Sequence, residues 1–437
     1  MSRQIDLKKS TRTDRRSFLF LQGAATPFFE LLASSLRQSG AETCRVLYCG
    51  GDSTFHKSGR SIFCKDSLDE LPNFYKETYR NLKVTDVVLF GDTRPVHLDA
   101  IVVAKQQGIN IHVFEEGYMR PDWITLDSGG VNAHSSLPAS PQFYRERASQ
   151  VPRNIHSQAT GYNQWVRLWQ DIRYNTGRMS DNKHFPSYKR HRLYSPIQEY
   201  VGWCKRSPIL PLSSIATKRR TKKLIEKKSP FFVYPLQLDG DSQIRVHSKY
   251  TKGIHTASRE IIQSFAENAP KRSYLIIKNH PLDTGISKHK AHIGKFSAEF
   301  GVADRVIFLE GGHLPTLFAS ASGTVVINST SAMSSLFHRC PTIALGKAIY
   351  NIPGLTFQGS LKDFWRSAKR PDRDLFKSFR DVVIAETQIN GNFYTKKGME
   401  MAVSGSFKKF GIPLPTQLDN IEDEDLLNLM EQARTSS

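Results

Sequence analysis

No apolar run in the chain approaches the ~20 residues that a membrane-spanning helix needs. Cysteine is scarce: Cys44, Cys49, Cys64, Cys204 and Cys340 are scattered over 437 residues. Their spacing matches neither a zinc site nor a disulfide framework, so a reduced, cytoplasmic setting is the simplest fit. There is no G-x-G-x-x-G fingerprint, so a dinucleotide cofactor is not supported. Phe18-Leu19-Phe20-Leu21 is short and no small-residue cleavage pattern follows it, so no signal peptide is read. Internal repeats and low-complexity tracts are also missing. What remains is a chain with 39% hydrophobic residues, enough for packed cores and too long for one.

Negative charge is under-represented. The chain carries 61 Lys and Arg against 41 Asp and Glu, a net charge of +20. Between Arg145 and Lys228 there are 19 basic and 5 acidic residues, so most of the excess lies mid-chain. Aromatics are interleaved there: Tyr162, Trp165, Trp169, Tyr174, Tyr188, Tyr194, Tyr200 and Trp203. Such a segment suits a polyanion: nucleic acid, anionic lipid headgroups or an acidic polymer, and the aromatics suit a membrane interface. Base stacking would use the same residues, but no nucleic-acid-binding motif accompanies them. A solvated helical surface explains the charge equally simply.

Read in order, residues 1–16 are a flexible basic arm. Residues 17–140 alternate short apolar strands with helical patterns. Strands Ser17–Leu21, Arg45–Cys49, Val87–Phe90 and Ile109–Phe114 each end in a Gly- or acid-rich turn. Strand–helix alternation of this kind predicts a parallel sheet in a Rossmann-like domain. Residues 141–228 lose the alternation and read as a basic, aromatic helical insert and linker. From 229 to 373 the alternation returns, with strands Phe231–Leu236, Tyr274–Ile277, Val306–Leu309, Thr324–Ile327 and Thr342–Leu345. Residues 374–437 read as helical with an acidic tail, Glu422-Asp423-Glu424-Asp425. The expected architecture is α/β and GT-B-like: two Rossmann-like domains facing a cleft.

Chemistry is expected at the carboxyl ends of those strands. Gln237-Leu238-Asp239-Gly240-Asp241 places two carboxylates around a glycine, which serves equally as a plain turn. It also has the form of a metal-binding D-x-D. The nearby cations make a metal-free reading the preferred one. Lys278-Asn279-His280-Pro281 puts an ammonium and an imidazole at a strand end, where they can hold a phosphate, and Pro281 fixes the turn. Glu310-Gly311-Gly312-His313 offers two glycines for close approach and another polar group. Ser329 and Thr330 precede a helix, where hydroxyls and N–H groups can receive an anion or simply cap it. Glu115 and Glu116 are adjacent carboxylates at a strand end, so one alone can face a substrate. Their repulsion can keep one of them protonated as an acid. Carboxylates opposite a phosphate cradle suit glycosyl transfer from a nucleotide-activated sugar.

These same stretches resemble capsular polysaccharide biosynthesis/export proteins of the KpsS type, and more distantly the KpsC type, from about residue 17 to 400. The resemblance runs through Phe90-Gly91-Asp92-Thr93-Arg94-Pro95-Val96-His97, Glu115 to Leu126, Gly130 to Pro138, Pro235 to Arg245, Ile277 to Asp283, Leu309 to Leu317 and Ile349 to Gly359. It implies a GT-B-like glycosyltransferase that takes Kdo from CMP-Kdo with retention and adds it to a lysophosphatidylglycerol acceptor. It places the catalytic carboxylate on Asp241 rather than Asp239, and the acid/base on Glu115 beside Glu116. Substrate binding falls on Gln237, Lys278, His280, Pro281, Gly311, Gly312, His313, Ser329 and Thr330. No cofactor and no metal are expected. The expected partners are CMP-Kdo, an anionic lysophospholipid, the inner face of the inner membrane, a KpsC-type transferase and the export machinery. The competing reading is a non-enzymatic export or assembly factor that binds anionic lipid or polysaccharide.

Overall fold

The structure is a computed structural model and describes residues 16–181, 184–188, 193–226, 228–240 and 242–415. Twelve strands make two sheets. In chain order they are β1 (Ser17–Phe20), β2 (Glu42–Leu47), β3 (Arg60–Phe63), β4 (Asp86–Phe90), β5 (Asn110–Glu116), β6 (Trp123–Ser128), β7 (Phe231–Pro235), β8 (Tyr274–Lys278), β9 (Val306–Leu309), β10 (Gly323–Val326), β11 (Thr342–Ala344) and β12 (Gln388–Asn390). The first sheet has the order β12-β6-β5-β4-β1-β2-β3 and the second β11-β10-β7-β8-β9. Each sheet reverses direction beside its first strand, between β1 and β4 and between β7 and β10. Ligands of open α/β sheets bind at such switch points, outside the carboxyl ends. Asp92, after β4, and Gln237 and Asn328, after β7 and β10, therefore occupy the places where chemistry is expected.

The second sheet is wholly parallel. The first departs from the expected all-parallel form at one edge, where β6 runs antiparallel to β5 and β12 antiparallel to β6. β12 comes from the segment read as purely helical. The chain thus crosses back and completes the first sheet with its own C-terminal part. Ten helices matter here: α1 (Phe28–Gln38), α2 (Gly50–Thr54), α3 (Gln164–Ser180), α4 (Pro196–Arg206), α5 (Ile209–Glu226), α6 (Ser242–His247), α7 (Ile254–Asn268), α8 (Ser331–Phe337), α9 (Arg373–Thr387) and α10 (Lys396–Phe410). One core joins Phe18, Phe20 and Phe28 to Phe393, Met399, Val403 and Phe407, so α10 packs into the N-terminal domain. A second joins Tyr118 and Tyr144 to Val326, Met333 and Tyr350, and so welds the two halves below the cleft.

The basic insert is not a loose connector. α3 crosses α2 at backbone distance: a Cβ on Gly51 would lie 2.7 Å from the carbonyl oxygen of Tyr174, and one on Gly177 would collide with Thr54. Glycine is required at that crossing because a backbone fills the space a side chain would use. The Tyr174 hydroxyl donates to Asp52 Oδ1 (3.0 Å), and the Gln22 amide donates to Asp52 Oδ2 (3.2 Å) and to the Tyr188 hydroxyl (3.2 Å). Two aromatics of the insert are therefore ties into the N-terminal domain. The acidic tail, residues 422–425, lies outside the described residues, as does nearly all of the basic arm.

Candidate active site

At the end of β8 the buried Lys278 donates from Nζ to the carbonyl of Asn279 (3.1 Å). Burial, reinforced by the nearby Arg206 guanidinium, pushes its pKa down to about 8. Burial, with Lys278, Arg120 and Arg167 close by, pushes His280 down to about 4 despite Asp283. The ring is thus neutral at physiological pH. Its Nδ1 accepts the backbone N–H of Leu282 (3.1 Å), which leaves the proton on Nε2. His280 is therefore a fixed neutral donor beside a buried ammonium. The exposed Pro281 closes the turn that holds it.

Arg206, the last residue of α4, supports this strand end from the insert. It donates to the carbonyls of Asp283 and Glu310, and to Glu310 Oε2 (3.2 Å). Asn279 Nδ2 completes the brace, donating to Asp283 Oδ2 (3.1 Å) and Glu310 Oε2 (3.0 Å). Among 19 basic residues in the middle segment, nothing in the sequence marks Arg206 out.

Across the cleft, Glu115 and Glu116 face opposite sides of β5. Glu116 Oε1 accepts the Tyr394 hydroxyl (2.5 Å) and lies 3.5 Å from Arg167 Nη1. Arg167 also stacks over the Tyr394 ring, its guanidinium carbon 4.8 Å from the centroid. A carboxylate held this way is an anchor. Glu115 lies instead toward the β4 end: a Cβ on Gly91 would be 3.3 Å from Glu115 Oε2. Gly91 has φ +69°, a conformation that favours glycine and lets the chain turn tightly there. His97 steadies the turn, since its Nδ1 donates to the Gly91 carbonyl (2.6 Å).

The remaining candidates divide. The Asp239 carboxylate accepts the backbone N–H of Ile254 (3.3 Å) and so caps α7. Asp241 lies outside the described residues. Gln237 exchanges hydrogen bonds with Asn328: its Nε2 donates to Asn328 Oδ1 (3.0 Å) and its Oε1 accepts the Asn328 N–H (3.3 Å). It holds the β7 and β10 ends in register. Ser329 Oγ accepts the N–H of Ser331 (3.2 Å), the Ser329 carbonyl that of Ala332 (3.1 Å), and the Thr330 carbonyl that of Met333 (3.0 Å). The first N–H groups of α8 are therefore used locally, and the hydroxyls are what Ser329 and Thr330 can offer. Gly312 has φ +110° and sits against Thr217 of α5, whereas a Cβ on Gly311 would meet nothing within 4 Å. His313 is exposed and pairs with Thr316 (3.0 Å).

Two Rossmann-like sheets, a cationic strand end on one and a carboxylate pair on the other, define a protein of GT-B-like architecture. The capsule polysaccharide biosynthesis protein family matches residues 85–394, and the chain belongs to that family. It is 34% identical over 388 residues to the capsule polysaccharide export protein KpsS of Escherichia coli, which covers 87% of this chain and 97% of that protein. It is 33% identical over 389 residues to the capsule polysaccharide modification protein LipB of Neisseria meningitidis serogroup B, with 87% and 92% covered. In shape it is similar to Thermosulfurimonas dismutans KpsC, described as a beta Kdo 2,7 transferase. That likeness has 11% identity, 91% and 100% coverage and a TM-score of 0.43, too low to carry weight.

Proposed function

We propose that this chain is a retaining glycosyltransferase that moves Kdo from CMP-Kdo to a lysophosphatidylglycerol-type lipid and so starts the β-Kdo linker of a capsular polysaccharide. The observation that carries it is the neutral, Nε2-protonated His280 held beside the buried Lys278 at the end of β8, with Arg120 and Arg167 close enough to depress the imidazole further. The donor brings a phosphate and a sugar carboxylate into one cleft. A buried ammonium, a fixed imidazole N–H and two guanidinium groups suit both, and they neutralise the departing CMP phosphate in low dielectric. Asp241 supplies the carboxylate at the anomeric carbon. Glu115 takes the acceptor hydroxyl's proton, because Glu116 is tied to Tyr394 and Arg167. No metal takes part in the chemistry on this reading, and turnover at saturating donor persists in a chelator.

The acceptor is met at the inner face of the inner membrane, by peripheral contact. Trp165 is 78% exposed on α3, with Leu168 exposed one turn on. No helix among the described residues is long and apolar enough to cross a membrane. That surface also supports the second reading, a lipid- or polysaccharide-binding export factor without catalysis.

One assay separates the two. Purified protein, CMP-Kdo and lysophosphatidylglycerol should give free CMP and a Kdo-lipid seen by mass spectrometry. Asp241→Asn should remove both products while circular dichroism stays unchanged. Lipid binding without CMP release, with donor shown to be intact, supports the second reading and sinks the first. Mass-spectrometric trapping of a glycosyl ester on Asp241 would distinguish covalent attack from charge stabilisation.

A further inference from the structure

Beside the carboxylate pair lies a cluster that the proposed reaction does not use. Asp92 follows β4, His134 lies in the 3-10 turn Asn132–His134, and His247 ends α6. The first two belong to the N-terminal half and the third to the C-terminal half. One ligand atom from each lies within 4.8 Å of the other two. The imidazoles of His134 and His247 meet edge to face, 4.5 Å between centroids.

The hydrogen bonding of this cluster is incomplete in a telling way. Asp92 is 1% exposed, and its Oδ2 accepts the Val131 N–H (3.0 Å) and pairs with His134 Nδ1 (3.0 Å). Its Oδ1 is buried without a partner, and so is Nε2 of His247, a residue only 6% exposed. Buried polar atoms are rarely left in this state, since each has lost its water without gaining a partner. Here two of them belong to one cluster: the carboxylate oxygen offers a lone pair, and Nε2 offers one in the Nδ1–H tautomer of His247. A cation satisfies both at once. His134 is half exposed and opens the third side to solvent.

We infer that Asp92, His134 and His247 form a binding site for a divalent transition-metal ion that bridges the two halves of the molecule. Two imidazoles and one carboxylate suit Zn²⁺, Co²⁺ or Ni²⁺ rather than Mg²⁺ or Ca²⁺. Metal–ligand bonds of ~2.0–2.2 Å need ligand atoms roughly 3.3 Å apart, so ligand atoms lying within 4.8 Å of one another must close by up to about 1.5 Å. The exposed His134 can supply it. Asp92 Oδ2, paired with one ring nitrogen of His134, fixes the ring so that the other nitrogen is the one available. Lys347 is a cation near enough to His247 to oppose charge there, and its side chain is exposed to solvent, which screens it. Asp92 adjoins Gly91, which packs on Glu115, and His247 ends the helix that begins one residue after Asp241. The ion would tie the turn after β4 to the end of α6, and the transfer chemistry does not route through it. The site does not depend on the proposed reaction.

The test is metal binding by the full chain, stripped with chelator and without donor or acceptor. Titration with Co²⁺, followed by visible absorption, should show one ion per chain with the bands of an imidazole-rich site, displaced by Zn²⁺. His134→Ala and His247→Gln should each weaken Zn²⁺ binding at least tenfold in competition with a chromophoric chelator. His292→Ala, in a separate group of histidines, should leave it unchanged. Because His134 is exposed, its variant should fold as the parent does, checked by circular dichroism. Absence of Co²⁺ bands, or equal affinity in the parent and His134→Ala, would overturn the assignment whether or not the chain transfers Kdo.

Discussion

Lys278 is a cation in a place that disfavours cations, and this gives it a readable signature. Its pKa of about 8 lies below the ordinary 10.5, first because it is buried and then because Arg206 is near. Without ligand, carrying its proton below pH 8 costs stability, and that cost fades as pH rises from 8 toward 10.5. A bound phosphate reverses the preference, so CMP binding at pH 8.5 should take up a proton. Calorimetry in buffers of different ionisation enthalpy should show it, and Lys278→Met should abolish it; equal uptake in that variant would remove Lys278 from the cradle. Asp239 offers a second test. Its carboxylate caps α7, so Asp239→Ala should cost ~1 kcal/mol in urea unfolding and leave turnover near the parent level. Two carboxylates around a glycine were legible from the sequence. Which of them was committed to a helix end 15 residues on was not, because the partner N–H is made available by the fold.

Among the elements, nine strands were legible because each is a short apolar run closed by Gly, Asp or Asn. The three that were not have physical reasons. β12 is three residues, Gln388–Asn390, without apolar alternation. β3 is an edge strand with no fully buried residue, and β6 follows β5 too closely to suggest a separate unit. The insert is the larger surprise. Its composition suggests surface, yet it touches both halves: α3 lies backbone to backbone on α2, and α4 sends Arg206 under the β8 end. Arg206→Ala would leave Asp283 facing the interior without its guanidinium partner. A loss of ~3 kcal/mol is expected in urea unfolding, together with a raised KM for donor as the Asn279–His280 turn loosens. A variant as stable as the parent would show that Asn279 alone holds the turn.

For the whole molecule, the uneven charge makes a prediction about surfaces. Trp165, Leu168, Ile197, Val201 and Ile215 are exposed apolar side chains within the segment of highest positive charge. Flotation with vesicles containing phosphatidylglycerol should recover the protein at low salt and lose it progressively at high salt. Trp165→Ser with Leu168→Ser should reduce recovery severalfold while activity on a soluble short-chain acceptor persists. Recovery unaffected by either salt or these substitutions would place the contact elsewhere. The return of β12 and α10 to the first sheet has a separate consequence, for synthesis on the ribosome. Met399, Val403, Phe407 and Phe410 each contribute on the order of 1.5–3 kcal/mol to the N-terminal core. Their sum rivals the whole stability of an ordinary domain. The nascent N-terminal half must therefore wait, with the β6 edge and its apolar face uncovered, while roughly 260 further residues are made, about 15–50 s at bacterial elongation rates of ~5–20 residues per second. A polypeptide truncated before Gln388 should emerge as a client of chaperones rather than as a free-standing domain.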